Sequence, residues 1–441
     1  MSEHMTSNDF GRQLRLSSFN FDPEYVPLNH GSYGAFPKVV RDKQRMIQDL
    51  TEQRSDAFIR YGIPHHLKVS RQAIANLLGA SYQELVFITN ATTGVNTALR
   101  NLNYQQGDVI VYFSTAYGAC EKTIQHICET TPATSHRIGV HFPIEDDELL
   151  DLFRTAIAQL HNENKRPRIA MFDTVATFPG VRLPFEALVQ ACKDLGVLSL
   201  VDGAHGVGHI DLTHLGRVQP DFFTSNCYKW LYTPRPCAIL YLPRRNWGII
   251  RTTIPTGNGF VVDQTATGPD DPLGALFSWP AASDMSPYLC VPAALAFREQ
   301  ELGGEDSIRR YCFELAKEGG RRVAEILGTE VLDNKSRSLS QCCFAMVRLP
   351  LVFDQDKEDV NDAADQRLLA RDGPAIIKWI METLMTDHDT WVPGRFFQGA
   401  LWVRISAQTY LEMKDFEWIA GVLGDLCRRV ATEDVLQKGE A

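Results

Sequence analysis

Apolar residues recur at helical spacing over residues 39–52 and again over 67–78, so the stretch 38–80 is predicted to be helical. The pattern then changes. Leu85-Val86-Phe87-Ile88, residues 109–113, Ile169-Ala170-Met171-Phe172, residues 197–201 and Ala238-Ile239-Leu240-Tyr241 are short unbroken apolar runs, separated by helical or turn segments. A strand that is apolar on both faces needs cover on both, so such runs alternating with helices predict a mostly parallel sheet between two helical layers. Helical spacing returns over 291–302 and 306–327, after which 342–349 and 401–405 read as strands of a smaller α+β unit. The expected fold class is therefore α/β, with a large domain over 38–295 and a small one over 296–441. Residues 256–280, rich in Gly, Pro and Asp, and the acidic stretch 353–365 break the pattern, the second as a solvated insertion. No internal repeat is present.

Composition narrows the function classes. A formal charge of −10 with scattered Lys and Arg gives no basic stripe, so nucleic acid is not an expected partner. No apolar stretch approaches the ~20 residues of a membrane span, and residues 1–12 are polar, without the apolar core of a secretory signal. These features predict a cytoplasmic protein with no membrane partner. The ten cysteines lie in apolar contexts such as Leu289-Cys290-Val291, and none has metal-ligand spacing. They read as reduced core residues, and no metal is expected.

The chemistry concentrates in two segments. Asp202 closes the apolar run Leu198-Ser199-Leu200-Val201, and Lys229 follows 27 residues later in Ser225-Asn226-Cys227-Tyr228-Lys229-Trp230, beyond Asp221-Phe222-Phe223. A strand-end carboxylate followed by a lysine on the next strand is the layout that pyridoxal phosphate (PLP) requires. The carboxylate keeps the pyridine nitrogen protonated, and the amine holds the aldehyde as a Schiff base. Taken singly, a lysine is usually a surface charge and a strand-end Asp usually a turn residue. A third segment is in register with them. After Ile88, Asn90-Ala91-Thr92-Thr93-Gly94 leads into a helical pattern, and unpaired N–H groups at a helix start make an anion cup suited to phosphate. Arg404, in the apolar run Leu401-Trp402-Val403-Arg404-Ile405, is a cation that is costly to bury unpaired. Its planar fork suits an α-carboxylate.

These motifs, from Leu28-Asn29-His30-Gly31-Ser32-Tyr33-Gly34 to Trp402-Val403-Arg404-Ile405-Ser406, resemble the class V, fold type I PLP enzymes. The likeness is greatest to the isopenicillin N epimerase-like branch, with its fungal hercynylcysteine sulfoxide lyases and LolT-type cyclases. The resemblance implies a seven-stranded large-domain sheet and an N-terminal arm, residues 1–37, joined to the small domain. It implies that Thr92, Thr93 and Gly94 contact the phosphate, with Asn226 closing it and Tyr228 beside it. Tyr117, in Ala116-Tyr117-Gly118, lies where the family stacks an aromatic ring on the pyridine and leaves a phenol near the substrate. Thr177 is a candidate for the ring oxygen, and His205 either braces Asp202 or faces the substrate. Asn29 and Ser32 join Arg404 as substrate contacts. Arg60-Tyr61 resembles a segment that reaches across a homodimer, and the family brings a loop near 256–280 to the neighbouring subunit's site.

Four positions depart from the family's usual spelling. Tyr228 replaces a common His, and Ala281-Ala282-Ser283-Asp284 stands for Gly-Thr-x-Asp. Gly62-Ile63 and Pro234-Arg235-Pro236 differ from the sulfoxide lyases. The cofactor core is kept while the rim is less polar. The expectation is an enzyme that generates a carbanion at Cα of an amino acid and uses it for Mannich-type ring closure in fungal secondary metabolism. The alternatives are β-elimination from a cysteine-derived sulfoxide, with Tyr117 as the acid, and a PLP-binding protein without turnover.

Overall fold

The computed structural model describes residues 10–251, 271–354 and 368–432. Seven strands form the main sheet: β1 (Leu85–Ile88), β2 (Asp108–Phe113), β3 (Thr134–Ile138), β4 (Arg166–Asp173), β5 (Leu198–Asp202), β6 (Phe222–Asn226) and β7 (Ala238–Tyr241). Their order is β1-β7-β6-β5-β4-β2-β3, and only β7 runs antiparallel to its neighbours. Alternate residues serve opposite faces. Along β1, Leu85 and Phe87 enter one core while Val86 and Ile88 enter another, which is why these strands read as unbroken apolar runs.

The five predicted runs are all strands of this sheet. Two features differ from the sequence expectation. β3 was not foreseen, because it is an edge strand whose Thr134, Ser135 and Arg137 are exposed and which therefore needs no apolar run. Lys229 is not on a strand but on the four-residue helix Cys227–Trp230 that caps β6.

The carboxyl ends of parallel β2, β4, β5 and β6 lie on one edge, and the segments leaving them carry Thr115, Asp173, Thr177, Asp202 and Lys229. In open α/β sheets this edge is where ligands bind.

A second sheet combines β8 (Phe344–Arg348), β11 (Gly394–Phe397) and β12 (Ala400–Ser406), antiparallel in the order β11-β12-β8. β9 (Phe353–Asp354) and β10 (Leu368–Leu369) form a separate short parallel pair. The helices Gly304–Leu327 and Met413–Thr432 pack on each other, and the first also packs on β8. The N-terminal segment is tied to this part of the chain. Gly11 N–H donates to the Thr409 carbonyl at 2.7 Å, and Arg15 pairs with Asp415 at 3.2 Å with both side chains buried. Most of 256–280 and of 353–365, the two irregular stretches, lies outside the described residues. Among the described residues no helix is long and apolar enough to cross a membrane. All ten cysteines are free thiols, and all but Cys128 are buried.

Candidate active site

The phosphate end is built by the start of helix Ala91–Arg100. Asn90 caps it, its side-chain oxygen accepting from Thr93 N–H at 2.8 Å, and Asn226 Oδ1 takes the Ala91 N–H at 2.8 Å. Among the described residues the Thr92 N–H is left without an acceptor at a positive helix end, which is the condition for anion binding. Gly94 is buried on the inner face, where a Cβ would collide with Thr224 Oγ1. Its glycine lets the helix settle on β6 and so sets the depth of the cup.

Asp202, 4% exposed, accepts from the Ala204 N–H at 3.0 Å through Oδ1 and from the Cys120 thiol at 3.3 Å through Oδ2. Burial raises its pKa, while those donors and the Lys229 charge oppose the rise. Beside it lies Asp173, buried and accepting from Thr115 Oγ1 at 3.0 Å. Burial first, and then the charge of Asp202, raise the Asp173 carboxyl well above the ordinary range. The sequence reading missed Asp173 and Thr115. Asp173 carries the same signal as Asp202, an Asp closing an apolar run, in Met171-Phe172-Asp173.

Lys229 faces His205, with Nζ 3.2 Å from His205 Nε2. The residue keeps some exposure, yet its amine is withdrawn from water. That desolvation, and then the Arg404 charge, lower its pKa to about 7. The amine is thus partly neutral near neutral pH, as a nucleophile must be. His205 Nε2 also lies 3.2 Å from Thr177 Oγ1, and His205 Nδ1 accepts from the Trp230 indole at 3.2 Å. No hydrogen bond joins His205 to Asp202. Of the two roles open to it, the geometry favours the side facing Lys229.

The N-terminal arm closes the other side. Gly34, at φ +63°, comes so near the Lys229 helix that a Cβ would collide with the Tyr228 carbonyl, so only glycine permits this approach. Arg235 Nη1 fixes the turn by donating to the Tyr33 carbonyl at 2.6 Å.

Arg404, 1% exposed, donates through Nη1 to the Thr177 carbonyl at 2.8 Å, and through Nη2 to Ser32 Oγ at 3.1 Å and Asn29 Oδ1 at 3.3 Å. It lies 4.4 Å from the Phe344 ring centroid. All its partners among the described residues are neutral, and its Nε is buried with none. Burial pulls its pKa down to about 10, which still leaves it charged at neutral pH. A buried cation held by neutral groups requires an anion. Asn29 and Ser32, expected as substrate contacts, both hold this guanidinium.

Tyr117 is 48% exposed and its phenol has no hydrogen-bond partner among the described residues, and Tyr228 sits nearby with its phenol pKa raised by burial and then by Tyr117. Arg60 and Tyr61 are not brought to this cluster. They lie on the π-helical turn Phe58–Gly62, with Tyr61 77% exposed and Arg60, among the described residues, reaching only Asp56 at 3.4 Å. Residues 281–284 are exposed as well, with Asp284 accepting from Gln48 at 2.8 Å. Ile63, expected on the rim, is buried in the main core.

The donor set fits PLP. It offers a half-neutral amine, a buried carboxylate for a ring nitrogen, an open helix N-terminus for a phosphate and an anion-seeking guanidinium. Residues 53–267 match the model of the aminotransferase class-V family. Over 448 residues the chain is 36% identical to the L-cysteine desulfhydrase-like protein lolT1 of Epichloe uncinata, covering 97% of this chain and 98% of that protein. It is 28% identical to the hercynylcysteine sulfoxide lyase of Schizosaccharomyces pombe, over 96% of this chain and 99% of that one. A solved structure of a C-DES mutant with glycine covalently linked to its PLP cofactor superposes with a TM-score of 0.73. It covers 91% of this chain and 96% of that one at 17% identity, a likeness of fold.

Proposed function

Because the chain belongs to the aminotransferase class-V family of PLP enzymes, we propose that it acts at Cα of an α-amino acid, with Lys229 as the group that moves the proton. The observation that carries this reading is Arg404, a buried guanidinium with only neutral partners close to Lys229. An α-carboxylate is the anion that supplies its missing partner and sets Cα beside the amine.

The cofactor, when bound, supplies an aldehyde for the lysine amine and a ring that draws off the electron pair left at Cα. Asp202 would hold the proton of the ring nitrogen, and Thr92, Thr93 and Asn226 would hold the phosphate. Thr177 and His205 present polar atoms beside Lys229. Lys229, half-neutral near pH 7, takes a proton from Cα or returns one. Tyr117, half-exposed, and Tyr228 lie close to each other.

For the reaction that follows, the first reading is ring closure of Mannich type, in which the electron pair at Cα attacks an electrophile carried by the same molecule. The departures Gly62-Ile63, Ala282 and Tyr228, which offer fewer polar groups than a sulfoxide lyase, support it. The burial of Ile63 removes that residue from the support. The second reading is β-elimination with carbon–sulfur cleavage. It is supported by the half-exposed phenol of Tyr117, which has no hydrogen-bond partner among the described residues and is available as an acid, and by the relatives named for desulfhydrase and sulfoxide lyase activity.

The holoenzyme decides between them. Borohydride reduction should leave a pyridoxyl group on Lys229; a label on another lysine overturns the site. Incubation with amino acids carrying a tethered aldehyde or imine should give cyclised product with little pyruvate from cysteine sulfoxides. Rapid pyruvate release without cyclisation establishes the second reading.

A further inference from the structure

We propose that Trp230 locks His205 in one neutral tautomer, with its proton on Nε2, so that His205 is a hydrogen-bond donor toward Lys229 and Thr177 and never a base beside them. This rests on the preceding reading only in taking Lys229 as the reacting amine.

An indole N–H can only donate. Trp230 Nε1 lies 3.2 Å from His205 Nδ1, so that nitrogen must offer its lone pair, and the ring's one proton is left on Nε2. Nε2 is 3.2 Å from Lys229 Nζ and 3.2 Å from Thr177 Oγ1, so the proton has two alternative acceptors. When Lys229 is neutral its lone pair accepts. When Lys229 is charged it has no lone pair, and the His205 N–H turns to Thr177.

Trp230 is not free to swing away. Its ring stacks on His209, with centroids 4.0 Å apart and planes 25° apart, and Arg298 Nη1 holds its carbonyl at 2.8 Å. His209 is assigned by the same logic. The Cys343 N–H donates to its Nε2 at 2.7 Å, so its proton lies on Nδ1 and goes to the His205 carbonyl at 2.9 Å. Each ring thus has a fixed proton, along a path from Cys343, just before β8, to Lys229. Burial keeps both histidines neutral, His209 down to about 3 and His205 well below the ordinary value.

The functional consequence is proton economy. A basic imidazole touching Lys229 would share any proton taken from the substrate, whereas a ring that only donates leaves that proton on the lysine. Trp230 is in this sense a positioning residue that acts through His205.

The test uses cofactor-free protein carrying ring-15N histidine, with His205→Gln to assign the His205 signals. Between pH 6 and 9 the wild type should show a proton-bearing Nε2 and a bare Nδ1 at His205. Trp230→Phe keeps the stacking ring and removes the N–H, so the two signals should lose that distinction and move toward each other. A proton on Nδ1 in the wild type, which needs no variant to detect, overturns the proposal. So does a folded Trp230→Phe protein whose His205 signals match the wild type. Because no cofactor is present, failure here is distinct from failure of the borohydride labelling.

Discussion

Asp173 lies directly beside Asp202, the two being register partners at the carboxyl ends of β4 and β5, and both are buried. Two adjacent carboxylates in a desolvated site do not both ionise easily. Asp202 has a backbone N–H and a thiol as donors, whereas Asp173 has the Thr115 hydroxyl and is pushed higher. The charge therefore belongs on Asp202 and the proton on Asp173.

Asp173→Asn, which mimics the protonated acid, should keep cofactor and turnover. Asp202→Asn should keep some cofactor and lower turnover by roughly a hundredfold, the scale for removing a preorganised active-site contact. The pair also has a pH signature. An acid whose folded pKa is raised gives stability that is present below its unfolded pKa and lost as pH rises through the folded one. Cofactor-free Asp173→Asn should thus gain on the wild type between pH 5 and pH 8 in urea unfolding. Equal losses of turnover from the two variants would show that the charge is shared.

Lys229 gives the opposite sign. Its folded pKa, about 7, is below the ordinary lysine value of 10.5, so stability falls as pH drops from the upper value to the lower, where the unfolded chain binds the extra proton. Lys229→Met removes this dependence. In cofactor-free form the variant should be more stable than wild type at pH 7, and the difference should shrink toward pH 10.5. A constant difference in urea midpoints across that range would mean that the amine is solvated in the folded state.

Arg404→Lys keeps a cation and loses the fork. It should weaken transition-state binding by about 2 kcal/mol, read from kcat/KM, and leave the absorbance of the bound cofactor unchanged. Unaltered affinity for amino acids would put the carboxylate anchor elsewhere.

The parts of this site legible in the sequence are those where a polar residue interrupts an apolar run. Asp202 and Arg404 stand out because burying them requires partners, and the helix start at Asn90 stands out because capping has a spelling. Asp173 has the same signal but no lysine after the next strand to draw attention to it. Trp230 and Cys120 read as ordinary core residues. Their roles depend on which atoms they turn toward His205 and Asp202, a matter of side-chain direction that spacing does not carry. β3 was missed for the converse reason, since an edge strand can be polar.

Arg60, Tyr61 and residues 281–284 are exposed in one chain, though the family resemblance assigns them to the active site of a neighbour. A homodimer with shared sites, which we propose, would reconcile the two. Mixing Arg60→Ala with Lys229→Ala chains should then restore up to about a quarter of the sites, if subunits assort randomly and each defect lies on opposite sides of a site. No recovery after demonstrated subunit exchange would put Arg60 outside the site.

Cys120 offers a graded test of how Asp202 is tuned. Its thiol donates to Asp202 Oδ2, and burial, then the neighbouring Asp202 charge, raise its pKa, so it stays protonated and inert as a nucleophile. A donor to a carboxylate favours the charged form, and a hydroxyl is a better donor than a thiol. Cys120→Ser should therefore lower the Asp202 pKa and hold or raise turnover. Cys120→Ala should raise that pKa and reduce turnover by roughly tenfold, the equivalent of ~1.4 kcal/mol. The acid limb of the pH–rate profile should move down for Ser and up for Ala. If both variants move it the same way, the effect comes from packing around Asp202 and the thiol hydrogen bond has no part in it.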